Sequence, residues 1–188
     1  TFFDDFYAIR EDGTGGTATL YRWDGSAWAI VTGTDGVLAA GRHETVEGNF
    51  LATSSGRAVY GVGGGQPFEL KADGSFRVLT NAPSGADYIA IHANHLMLGF
   101  EAGSLQHSGV GDPNEWTANG GAGEIGVSQQ IRGLTSGRGG VLHIACRDAM
   151  KALFGNVPQN WELRITVANS GAKAYSMQPF TEPYFVAE

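Results

Sequence analysis

Cysteine is almost missing from this chain. Cys146 stands alone, so no intramolecular disulfide can form and the fold does not depend on an oxidising compartment. Long apolar runs are missing as well. No stretch reaches the roughly 18–20 consecutive apolar residues that a membrane-crossing helix needs, so no membrane span is expected. Positive charge is scarce: 12 Lys and Arg stand against 19 Asp and Glu, a formal charge of −7. That balance excludes a basic surface tracking nucleic-acid backbones, and sequence-specific nucleic-acid binding with it. What the chain has in quantity is glycine, 29 residues of it, beside a 42% hydrophobic content that can fill a real core. Glycine costs roughly 1 kcal/mol against Ala inside a helix, so this composition favours short strands and tight turns.

The stretch Leu20-Tyr21-Arg22-Trp23-Asp24-Gly25-Ser26-Ala27-Trp28-Ala29-Ile30-Val31-Thr32 places two apolar strands around an Asp-Gly pair. Asp-Gly is a strong hairpin signal because the tight turn needs positive φ. The device returns at Leu70-Lys71-Ala72-Asp73-Gly74-Ser75-Phe76-Arg77-Val78-Leu79-Thr80, 49 residues further on. A repeat follows. Trp28, Phe76, Trp116 and Trp161, spaced by 48, 40 and 45 residues, mark candidate units. A period in the forties with several short strands per unit matches a propeller blade.

The expected fold is therefore all-β, a propeller-like repeat of four-stranded antiparallel blades over residues 1–33, 34–81, 82–130 and 131–169, with 170–188 starting a further blade. In the second blade, strands are expected at Val37–Gly41, Asn49–Thr53, Ala58–Val62, Pro67–Lys71 and Ser75–Leu79. In the third they fall around Tyr88–His92, His95–Phe100 and Ser104–His107, with a short one at Trp116. The fourth carries Ile131–Thr135, Val141–Cys146, Ala149–Phe154 and Trp161–Ala168. Ala174–Gln178 and Tyr184–Val186 would open the next unit. An open apolar sheet edge is a liability. We therefore expect the 188 residues to belong to a longer chain, or the edge to be sealed by another segment or subunit.

The ordered set Asn94-His95-Leu96-Met97-Leu98-Gly99-Phe100, Leu105-Gln106-His107-Ser108, Gly111-Asp112-Pro113 and Trp116 resembles propeller domains of tailed-bacteriophage tail proteins. The resemblance continues through Ile125-Gly126-Val127, Ile131-Arg132-Gly133-Leu134 and Ala149 to Gly155. It implies a structural virion protein, a hub- or nozzle-type component of the viral tail. Such proteins assemble as homo-oligomeric rings around a DNA conduit, a setting that an acidic surface suits. The implied partners are other tail and portal-proximal proteins, and the implied location is the virion tail, after synthesis in the host cytoplasm.

Chemistry is expected to be absent. His92 and His95 straddle a hairpin turn, with Asp87 or His107 nearby in sequence, yet their odd spacing points to opposite sheet faces, so no metal is assigned. His143 and Cys146, three apart on one strand, likewise diverge, and a free cysteine is usually a small buried hydrophobe. Asp24, Asp73 and Asp112 suit paired-carboxylate glycan hydrolysis, but each sits where a turn wants Asp. Gly61-Val62-Gly63-Gly64-Gly65 lacks the helix that a phosphate loop requires. No catalytic residue and no cofactor is assigned. The aromatics read as core filling, except Trp23, which alternation places with Tyr21 on the face opposite Arg22. Trp23 and Tyr21 are thus the candidate contacts for a partner or a host-surface glycan. Polar loops at Gly41–Gly48 and Ala118–Gly123 would be held against neighbouring subunits. The function expected is structural and not enzymatic, with a glycan-binding propeller at the tail periphery, or a propeller glycan hydrolase, as alternatives.

Overall fold

The computed structural model describes residues 5–13, 15–53 and 56–178. The chain falls into two compact units, 1–85 and 86–188. Each holds two antiparallel sheets, and among the described residues there is no α-helix. The architecture is all-β, a propeller-like repeat of four-stranded blades.

The first sheet consists of β1 (Tyr7–Glu11), β2 (Thr17–Trp23), β3 (Trp28–Ile30) and β4 (Leu38–Ala39). β1 lies on one side of β2, and β3 and β4 lie on the other. β3 and β4 are two pieces of one row. Trp23 pairs with Trp28 and Tyr21 with Ile30, then Ala18 pairs with Leu38 and Thr17 with Ala39. Leu38–Ala39 was expected to open the second blade, but it completes the first sheet.

The intervening residues loop out, and buried Thr34 bridges the gap. Its Oγ1 accepts from the Leu20 amide at 3.2 Å and donates to the Val31 carbonyl at 2.8 Å. Gly36 N–H donates to the Thr19 hydroxyl at 3.0 Å. A ladder interrupted in the core is thereby satisfied by side chains, as buried backbone groups require.

The second sheet runs in chain order: β5 (Glu44–Gly48), β6 (Ala58–Val62), β7 (Phe68–Lys71) and β8 (Phe76–Val78). β6 is buried along its whole length, as a continuous apolar run flanked by two strands should be. β5 corrects the expectation of a free loop at Gly41–Gly48: most of that segment is an edge strand. Asn49–Thr53 was expected as a strand but is a turn, with Ala52 at φ 52° and the Asn49 amide donating to the Thr53 carbonyl at 2.8 Å. Ala18, Leu20, Leu38, Val59, Phe68 and Leu70 form the core of this unit, with Tyr7, Ile9 and Phe76 packed against it.

In the second unit one sheet is β9 (Tyr88–His92), β10 (His95–Gly99), β11 (Ser104–His107) and β12 (Gly123–Gly126). The other is β13 (Ile131–Ser136), β14 (Leu142–Cys146), β15 (Ala149–Phe154) and β16 (Glu162–Ala168). Tyr88, Met97, Leu105, Ile131, Leu142, Ile144 and Leu153 make its core. Burying each such side chain contributes about 1.5–3 kcal/mol.

Trp116 lies in no strand. It follows the Gly111–Asn114 turn, where its indole N–H donates to the Pro113 carbonyl at 3.0 Å. Ala118–Gly120 is a 3-10 turn capped by Thr117, whose hydroxyl accepts from Gly120 N–H. Ala174–Gln178, expected as a strand, forms a turn and an isolated bridge. The Tyr175 N–H reaches the Arg132 carbonyl at 2.9 Å, and Met177 packs against Ala145, Met150 and Ala172. Tyr184–Val186 lie outside the described residues.

Candidate functional site

The two Asp-Gly hairpins connect β2 to β3 and β7 to β8, and Gly25 and Gly74 adopt φ 101° and 83°. The carboxylates tie down the turns: Asp24 Oδ1 accepts from Ser26 and Ala27 N–H at 2.8 Å each, and Asp73 Oδ1 from Ser75 N–H at 2.8 Å. These bonds hold both acids below the ordinary carboxylate range, Asp24 chiefly through the Ala27 and Ser26 amides and Asp73 through Ser75. Asp112 Oδ1 accepts from Asn114 N–H at 2.9 Å. Each carboxylate is committed to its own turn.

The hairpins differ by one residue. Trp28 follows Asp24 by four positions and Phe76 follows Asp73 by three. Because side chains alternate along a strand, a one-residue shift sends the aromatic to the other face. Phe76 pairs with Leu70 and packs on the core, with its ring 5.7 Å from that of Phe68. Trp28 pairs with Trp23 and is half exposed, at 49%. The expectation that Trp28, Phe76, Trp116 and Trp161 occupy equal positions between blades is thus corrected. Trp116 lies in a loop, and Trp161 packs on the core of the second unit.

The consequence is an aromatic face on the first sheet. Tyr21 and Trp23 share it with their cross-strand partners Ile30 and Trp28, and with Arg10 on β1 and Phe6 just before it. Phe6 is 59% exposed and Ile30 48%. The Trp23 and Trp28 rings stand 5.6 Å apart at 58°, a tilted pair. The Arg10 guanidinium lies 5.0 Å from the centre of the Tyr21 ring, a cation–π contact of about 0.5–1 kcal/mol at an exposed site. The structure therefore brings together the two candidates, Tyr21 and Trp23. It adds Trp28 and Ile30, which the register of the β2–β3 hairpin sets beside them, and Phe6 from the β1 side. On the opposite face Arg22 pairs with Asp5 at 2.9 Å, and a polar cleft of about 380 Å³ is lined by Tyr7, Arg22, Asp24 and Asp73.

The histidines gather where sequence spacing argued against it. Ala93 and Asn94 both adopt positive φ, 47° and 61°, giving a two-residue turn that makes His92 and His95 direct cross-strand partners. Partners share a face, so the expectation of opposite faces is wrong. With His107 they surround Trp161, at ring separations of 5.5, 5.1 and 4.7 Å. Burial lowers the pKa of His92 and of His107, partly opposed by hydrogen bonds with the Gly155 and Ser108 backbone respectively. Among the described residues no three His, Cys, Asp or Glu side chains are placed to share a metal ion. Cys146 is fully buried, and burial pushes its thiol up to about 11. A thiol so protonated is a poor nucleophile.

No protein-family model matches the sequence, and no curated protein matches it. Solved structures do. The extracellular domain of a B. thetaiotaomicron one-component system aligns over 91% of this chain and 23% of its own, at 10% identity and a TM-score of 0.55. BBS1N in complex with ARL6DN aligns over 96% and 60%, at 10% identity and TM-score 0.47. A gluconolactonase aligns over 80% and 64%, at 12% identity and TM-score 0.46. The chain thus spans about a quarter of the first of these structures and three-fifths of the second. At such identities the likeness to the bacterial extracellular domain concerns the fold alone.

Proposed function

We propose that this chain is a structural, non-enzymatic module of a tailed-bacteriophage tail, of the hub or nozzle type, docking to neighbouring tail subunits through the outer face of its first sheet. One observation carries the docking reading: Phe6, Trp23, Trp28 and Ile30 stand together on a solvent-facing sheet surface. Aromatic residues are enriched at protein interfaces, where they bury large area at low entropic cost. The tied carboxylates Asp24, Asp73 and Asp112 and the buried thiol of Cys146 favour packing over turnover. Ring symmetry would multiply a modest contact per subunit. The phage setting rests on the sequence resemblance at Asn94–Trp116.

The test is reconstitution. The chain is expected to sediment with its neighbouring tail proteins as a ring, and the Trp28→Ser/Ile30→Ser double variant to stay folded but unassembled. Unimpaired assembly of that variant would overturn the docking face, and a particle map without this chain in the tail would overturn the setting.

A second reading, a host-surface glycan contact, is favoured by the tilted Trp23–Trp28 pair beside Tyr21 and Arg10. Glycan-array binding lost in Trp23→Ala would select it, whereas a docking surface binds no glycan.

A further inference from the structure

The second unit carries a separate cleft, of about 430 Å³, that borders on the histidine cluster. Its floor includes His95 and His107, which are 2% and 5% exposed. Both Nδ1 atoms contact a single oxygen, the Ser108 carbonyl, at 2.6 and 3.0 Å. A carbonyl only accepts, so each ring donates through Nδ1, and the neutral form of either ring carries its lone pair on Nε2. Neither Nε2 has a protein donor among the described residues. The carbonyl that orders the rings is itself fixed: Ser108 is fully buried, its N–H donates to the Leu96 carbonyl and its Oγ accepts from the Leu96 N–H, both at 3.0 Å.

Above this floor the walls are mostly apolar. Val110 and Val157 stand 66% and 47% exposed at the rim, beside Pro158 and Ala122, and Asn156 and Gln159 add two uncharged amides. No lysine, arginine, aspartate or glutamate lines the cleft. Gly123 is required next to it, because a Cβ there would lie 2.8 Å from His107 Nε2. Apolar clefts of 300–1,000 Å³ with few convergent polar groups are the usual form of a small-molecule site.

We infer that this cleft binds an uncharged aromatic compound bearing one O–H or N–H donor, a phenol or an indole, with its ring between Val110 and Val157 and its donor on His95 or His107 Nε2. Charged ligands find no counter-ion in the lining.

The experiment compares p-cresol with p-xylene, which differ in the donor and little in shape, by following the imidazole Cε1–H signals of the full chain. p-Cresol is expected to shift the His95 and His107 signals and to bind about two- to tenfold more tightly, the effect of one hydrogen bond. Val157→Trp, a change at an exposed rim position, is expected to abolish binding with the fold intact. One of the two variants His95→Phe and His107→Phe is expected to remove the preference for p-cresol over p-xylene, and a preference kept in both would overturn the inference. Equal binding of the two compounds, no shift at millimolar p-cresol, or unchanged binding in Val157→Trp would each overturn the inference.

Discussion

Thr34→Val isolates the device that keeps the first sheet continuous. Valine keeps the shape and the methyl group of threonine but removes the hydroxyl, which here meets three backbone groups, the Leu20 N–H and the Leu20 and Val31 carbonyls. The Leu20 N–H, at 3.2 Å, loses its acceptor, and the Val31 carbonyl loses one donor while keeping the Thr34 N–H at 3.1 Å. Thr34 is fully buried, so no water replaces the hydroxyl. Leaving a buried donor unsatisfied costs about 1–3 kcal/mol, and Thr34→Val is expected to lose that much in urea denaturation with an unchanged m-value. Thr34→Ser keeps the hydroxyl and forfeits one buried methyl, a loss of about 0.8 kcal/mol. Because these ranges touch, the deciding measurement is hydrogen exchange at Leu20. The amide should exchange faster in Thr34→Val and remain protected in Thr34→Ser. Equal protection in the two variants, or a Val variant as stable as the parent, would refute the account of Thr34 as the substitute for missing ladder bonds.

Acid should weaken the second unit. An unfolded histidine takes up its proton near pH 6.5, while burial holds His92 and His107 below that in the fold. Below about pH 6.5 the unfolded chain therefore binds more protons, and stability falls with pH until the folded imidazoles titrate. A urea midpoint constant from pH 7.5 to 5 would contradict this. Cys146 should resist iodoacetamide in the native state at pH 8 and react on unfolding, since its thiol is buried with its pKa near 11; native-state labelling at the rate of a free thiol would be the contrary result. Gly61→Ala should destabilise by about 1–3 kcal/mol, because a methyl there would overlap the Phe68 ring across the β6–β7 pair; thermal melting reads it directly.

Much of the fold was legible in the sequence because two signals are local. Asp-Gly with Ser after it fixes a hairpin without help from tertiary structure, and runs such as Ala58–Val62 and His95–Gly99 have few options but a central strand. What escaped depended on register or on polar edges. β5, Glu44-Thr45-Val46-Glu47-Gly48, has one large apolar residue and is half exposed, so nothing in its composition separates it from a loop. The aromatic spacing from Trp28 to Trp161 imitated a structural period, although the residues differ in position: Trp28 opens a three-residue exposed strand and Trp116 lies in a loop. Trp23 and Tyr21 were found by alternation alone. Trp28 and Ile30 were missed because counting across the hairpin requires its loop length. The same gap hid the histidine cluster, since Ala93 and Asn94 had to adopt positive φ for His92 and His95 to meet.

The detour between β3 and β4 has a practical consequence. Both flanking pieces are already held to β2, so the chain leaves the sheet after Val31 and rejoins it at Leu38 with its direction unchanged. Foreign sequence spliced beside Asp35 would lengthen an excursion that the ladder already tolerates, at a closure cost growing only with the logarithm of its length. Epitopes or fluorescent reporters could be displayed there while Thr34 keeps the seam shut.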